Sequence, residues 1–244
     1  MFRHQGSSRN ISHNKKIASL LSFVAGMVNV VGFLSVQRLT TNVTGHFAFF
    51  IDAVFKLQFT DSFIFFFYIF FFFLGSFVSS LLVEIMTRKN ERYIFFIPTL
   101  IESFILFAVA IFGHFLLVNN PDVIAFSLLF AMGLQNSLVT RISNAVVRTT
   151  HLTGLFTDLG IELSQLIFYK TNNQKEKLIG TVKLRLRIIF YFFFGGILGG
   201  ILFNSLEFHS LFVPAFLLII GLYFDFIKYQ LMHWKHKYIS NENK

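Results

Sequence analysis

The chain has 244 residues, 55% of them hydrophobic and only 14% charged, with 37 phenylalanines and a mean hydropathy of +0.65. A soluble domain needs a charged surface, about 25% of residues on average, so this composition excludes a water-soluble globule, a disordered chain and a coiled coil. It leaves an all-α polytopic membrane protein, whose partner is the lipid bilayer. The net charge of +9 would suggest nucleic acid in a soluble chain, whereas in a membrane chain the position of the charges decides.

Residues 1–16 form a polar, basic tail. The uncharged run Ile17–Gln37 follows, too long for a signal-peptide core and without an A-x-A cleavage pattern. A spanning helix needs roughly 20 apolar residues. Further runs of that kind are Ser62–Val83, Tyr93–Val118, Val123–Thr140, Ile188–Leu206 and the shorter Phe208–Phe224. The expected architecture is therefore six transmembrane helices, with a long basic loop over about 141–187 and a tail over 233–244. All Lys and Arg except Arg38 and Lys56 fall in the N-terminal tail, the second-to-third loop, the long loop or the C-terminal tail. With six spans these share one side, so both termini are expected in the cytoplasm. The positive charge is then an orientation signal, with no nucleic-acid partner.

Two segments share the pattern T-T-x-[VL]-T-G-x-F, at Thr40–Phe47 and Thr149–Phe156. Upstream of each stands a second match, Gly26-Met27-Val28-Asn29 against Gly133-Leu134-Gln135-Asn136. Three spans separate the copies. Because three is odd, the second half (119–232) is expected upside down relative to the first (17–118), an inverted 3+3 repeat. Each Thr-Gly element precedes an apolar stretch too short to cross, read as a broken or re-entrant segment. Short helices beginning near Gly45 and Gly154 would aim their N–H groups at the membrane centre, where an anionic or polar group can be held. The plainer alternative is that these threonines only cap helices and pack.

At these residues the chain resembles the YoaK-type family of bacterial membrane proteins, a domain of unknown function with about six spans. The resemblance rests on G-M-V-N at Gly26–Asn29 with T-N-V-T-G at Thr41–Gly45, and on G-L-Q-N at Gly133–Asn136 with R-T-T-H-L-T-G at Arg148–Gly154. It extends from about Ala18 to Tyr229, and implies a multi-pass protein of the bacterial inner membrane and lends weight to transport. In the family pattern the position of Asn29 is often acidic and that of His46 often Asn, so this chain's departure weakens any proton-coupling role at Asn29.

The candidate substrate-binding residues are Asn29, Thr41, Asn42, Thr44, Gly45, Gln135, Asn136, Thr149, Thr150, Thr153 and Gly154. For Asn29, with Ser22, Ala25 and Gly26 on the same helical face, an interhelical packing bond is the competing role. Glu102 is the most informative carboxylate, ten residues past Arg92 and twelve before His114. A charge at such depth costs roughly 2.5–3.5 kcal/mol on insertion scales. It is a candidate proton or cation site, or else a protonated acid bonded to a neighbouring helix. Asp158 and Glu162, at i and i+4, share a helical face; they are a candidate ion-coupling pair, or ordinary ion-pair partners of the basic loop. Arg148 is suited to an anionic substrate or to phospholipid headgroups. Gly195-Gly196 and Gly199-Gly200 give a helix-packing face, internal or between subunits of a homo-oligomer. His233 and His236 lack a third ligand for a metal.

No phosphate loop, G-x-S-x-G or H-E-x-x-H occurs, so neither an enzyme nor a cofactor is expected. The leading expectation is a small secondary transporter of a small polar or anionic solute. The alternatives are a channel-like pore and a non-transporting membrane scaffold or regulator.

Overall fold

In the computed structural model residues 11–89, 96–168 and 172–224 are described. Arg3, Arg9, Arg92, Lys170 and the C-terminal tail with His233 and His236 lie outside them. The helices are α1 (Ile11–Val36), α2 (Val43–Phe55), α3 (Phe59–Lys89), α4 (Phe96–Asn119), α5 (Pro121–Ser143), α6 (Leu152–Phe168) and α7 (Asn172–Leu206). A 3-10 turn, Glu207–Leu211, leads into α8 over 212–224. Among the described residues there is no strand.

Five stretches are long and apolar enough to cross a bilayer: Lys15–Val36, Phe59–Arg88, Phe96–Asn119, Pro121–Ser143 and Gln174–Phe224. The last combines the fifth and sixth expected runs. It is broken at Glu207, whose φ of +49° lies in the left-handed region that reverses a helix. Phe107 of α4 meets Phe212 and Phe216, and Ser103, one turn earlier, donates to the Ala215 carbonyl at 2.9 Å. Hence α8 runs antiparallel to α4.

The segment 141–187, expected as a long loop, is mostly helical. Its first part is α6 and its second is an extension of α7, where Lys, Glu, Leu and Arg supply good helix formers. At 35 residues, α7 is about 52 Å long, longer than the roughly 30 Å hydrocarbon layer, so its lysine- and arginine-rich start extends beyond the apolar part. The 13-residue α2, by contrast, reaches only about 20 Å.

The packing is organised by four F-x-x-G elements: Phe23–Gly26 in α1, Phe72–Gly75 in α3, Phe130–Gly133 in α5 and Phe192–Gly195 in α7. Gly26 lies against the Phe192 carbonyl and Gly195 against that of Phe23; in the same way Gly75 lies against the Phe130 carbonyl and Gly133 against that of Phe72. A β-carbon at any of the four would collide with partner backbone. Ser19 meets Arg187 while Met27 meets Gly199, and Tyr68 meets Asp122 while Glu84 meets Arg141, so α1 and α7 are one parallel pair and α3 and α5 another. Leu128 approaches Gly32 while Gln135 reaches the Leu21 carbonyl, so the two pairs run in opposite directions. Gly199 abuts the Met27 backbone and Gly196 the Val30 side chain. The Gly195–Gly200 face thus packs on α1 within the chain.

The core is the inward face of α1 and α5, with Ile17, Leu21, Val24, Val28, Ile124, Leu128, Met132 and Leu138 fully buried. Outward faces are apolar instead of charged: Phe63, Phe73, Phe104, Phe115 and Phe193 are all exposed. Such a surface is untenable in water and natural against lipid.

Candidate functional site

α1 ends at Gln37, with φ +54°, and α5 ends at Asn144, with φ +51°. Each left-handed cap stops its helix and turns the chain back into the bundle, where the two Thr-Gly segments lie. Thr41 donates a 2.8 Å hydrogen bond to Asn29 Oδ1; Thr150 donates a 2.8 Å bond to Asn136 Oδ1. The upstream Asn of each motif thus holds the second Thr of the segment downstream. Asn42 then caps α2, its Oδ1 accepting from the Gly45 amide at 3.0 Å. At the matching place before α6 the His151 ring folds over Gly154. A β-carbon at Gly154 would collide with the His151 ring, and one at Gly45 would crowd the capping Asn42 amide at 3.1 Å.

The first turns of α2 and α6 face a single cavity of about 860 Å³. Of the candidate substrate residues, Asn29, Thr41, Asn42, Thr44, Gly45, Asn136, Thr150 and Thr153 line it. Gln135 and Thr149 stand one layer behind, fully buried. There Gln135 Nε2 bridges the Leu21 carbonyl at 3.0 Å and Thr149 Oγ1 at 3.2 Å. Gly154 lies beneath His151 and does not line the cavity.

Arg148, read as suited to an anionic substrate, also lines the cavity, and several lining residues were not among the candidates: Leu39, Phe72, Thr140, His151 and Phe192. A readable signal for Phe72 and Phe192 did exist. F-F-L-G-S at Phe72–Ser76 and F-F-F-G-G at Phe192–Gly196 are a further internal match, hidden in α3 by the surrounding phenylalanines. Among the described residues no Asp or Glu lines the cavity. Its charged lining residue is Arg148, which is exposed and carries no ion pair to a described residue. Two helix N-termini add partial positive charge. Chemically this is a site of hydroxyl, amide and N–H donors around a positive potential. No cluster of metal-ligating side chains occurs among the described residues.

The three acidic candidates are elsewhere. Glu102 is fully buried on α4, away from the cavity lining, and neither carboxyl oxygen has a hydrogen-bond partner among the described residues. Asp158 and Glu162 share one partner on α7: Arg185 meets Asp158 at 2.9 Å and Glu162 at 2.9 Å. Among the described residues the partner is Arg185, because α7 extends far enough to set it beside α6.

A second polar cluster had no sequence signal beyond its residue types. Tyr68 of α3, fully buried, donates to Asp122 at the start of α5 and accepts from Arg38 Nε at 3.2 Å. The Arg38 guanidinium also lies over the Phe65 and Tyr68 rings. His46 packs on Tyr68 with ring centroids 4.9 Å apart and bonds the Leu39 carbonyl at 2.7 Å. The cluster ties the chain between α1 and α2 to α3 and α5.

Long apolar helices with lipid-compatible outer faces around a polar cavity define a polytopic α-helical membrane protein. The chain belongs to the family described as "Protein of unknown function (DUF1275)", which matches residues 17–224. It is 27% identical over 188 residues to the UPF0700 transmembrane protein YoaK of Bacillus subtilis (strain 168), covering 74% of this chain and 80% of that protein. The YoaK-type resemblance read from the G-x-x-N and Thr-Gly motifs is thereby borne out. No solved structure matches the chain.

Proposed function

We propose that this protein is a small secondary transporter of an anionic solute, built as six crossings in an inverted 3+3 repeat, with both termini in the cytoplasm of a bacterial inner-membrane protein. The observation that carries the reading is the single cavity of about 860 Å³ onto which two helices open by their N-terminal turns. Transporters of inverted-repeat construction hold anionic groups at such helix ends near the bilayer midplane. Support for the repeat comes from matched contacts. The Asn29–Thr41 and Asn136–Thr150 bonds have the same length, and the glycine–carbonyl contacts of α1 with α7 have counterparts between α5 and α3.

The residues lining the cavity would bind the solute. Glu102 is the proposed coupling site. A buried carboxylate without a partner is costly, and taking up a proton or another cation removes that cost. Asp158 and Glu162, both paired to Arg185, are the second candidate for ion coupling, at the contact of α6 with α7.

Proteoliposomes test this. An inward proton gradient should drive accumulation of an anion that also protects the purified protein from heat, since a ligand of the native state stabilises it by RT ln(1 + [L]/Kd). Glu102→Gln should keep the thermal protection and anion exchange but lose gradient-driven accumulation. Conductance without exchange would favour the channel reading. No movement of any solute under any gradient would leave the scaffold reading.

A further inference from the structure

The two ends of the cavity match in shape but differ in charge. Counting outward from the paired threonines, Thr41 corresponds to Thr150, Asn42 to His151 and Val43 to Leu152, all of them cavity-lining. Two positions before the threonine, however, Leu39 stands at the α2 end and Arg148 at the α6 end. Among the described residues the lining therefore holds one full positive charge, at one end, and no carboxylate. The volume of about 860 Å³ falls among the roughly 300–1,000 Å³ of sites for organic small molecules, far more than a monatomic or tetrahedral inorganic anion fills. Phe72 and Phe192 provide apolar wall on the two sides.

Building on the transporter reading above, we infer that the ligand is an organic monoanion bound in one orientation. Its carboxylate lies at the α6 end against Arg148 and the first turn of α6, and its uncharged body lies toward Leu39 and the α2 end. A second negative charge would fall at the α2 end beside Leu39, with no cation to compensate it in a partly desolvated site. Specificity against dianions thus follows from the position where the two ends differ.

The test is thermal protection of the full chain in detergent, read with benzoate and hexanoate as monoanions, glutarate and adipate as dianions, and sulfate as an inorganic anion. Benzoate or hexanoate should protect, while the dianions and sulfate should not. Losing the charge-assisted contact in Arg148→Gln should weaken monoanion binding about tenfold or more, and Arg148→Lys should restore much of it. Leu39→Arg should admit the dianions, a gain that general damage to the fold does not produce. Equal protection by sulfate or dianions in the wild type, or an unaltered Arg148→Gln, overturns the inference and leaves the transporter reading in place. Protection by no anion at all overturns both.

Discussion

Replacing Gly195 by alanine should force α1 and α7 apart. A β-carbon there would sit 2.9 Å from the Phe23 carbonyl carbon and 3.0 Å from its Cα, and nearer still to the carbonyl oxygen. The carbonyl oxygen is the closest of these and sets the shift, so the helices must separate by about 1 Å or more, a gap that forfeits about half of each affected dispersion contact. In a bilayer no hydrophobic gain offsets this, because packing is what holds such helices together. Overpacking of this kind costs about 1–3 kcal/mol, against which alanine's helix preference returns about 0.5–1 kcal/mol. The net loss of about 1–2 kcal/mol lowers the folded-to-unfolded ratio about 5- to 30-fold. Gly160 is the internal control, since nothing lies within 4 Å of its β-carbon position; Gly160→Ala should be neutral or mildly stabilising. Denaturant titration in mixed micelles followed by circular dichroism measures both variants. A Gly195→Ala protein as stable as Gly160→Ala would refute the close-packed α1–α7 pairing.

Arg185→Gln leaves two carboxylates without their shared cation, one of them on a side chain only 11% exposed. With the exposed Asp158 discounted, the same titration should show a loss of about 1–3 kcal/mol, largely recovered in the double variant Arg185→Gln/Glu162→Gln. Tyr68→Phe removes the hydroxyl between Arg38 and Asp122 and should cost about 1–2 kcal/mol; a neutral result would mean that Arg38 and Asp122 pair without it. The absence of cysteine makes single-cysteine labelling clean. A membrane-impermeant maleimide should reach Lys56→Cys in intact cells, but reach Lys183→Cys only after permeabilisation. The reverse pattern would invert the proposed orientation.

The sequence by itself determined that this is a membrane protein, because 37 phenylalanines with scarce charge can be solvated only by lipid. It also determined where the chain turns inward. In G-x-x-N and T-T-x-x-T-G the residue types that bond, cap and permit close approach lie close together in the chain, so their local geometry is largely written in their order. Helix ends in the charged segment 141–187 were less legible. Basic residues read as loop by hydropathy, yet Lys, Arg, Glu and Leu extend α7 back to Asn172 on helix propensity and packing. What only the tertiary structure decided is which distant groups meet. Arg185 is 23 and 27 positions from the two carboxylates it joins, and Tyr68 and Asp122 come from different helices. Glu102 was legible as a carboxylate at membrane depth, but its lack of a hydrogen-bond partner among the described residues and its distance from the cavity lining depend on how α4 packs. The contacts that fix that packing, Ser103 with the Ala215 carbonyl and Gly113 against the Phe208 ring, join segments about a hundred residues apart, so no single stretch of sequence specifies them.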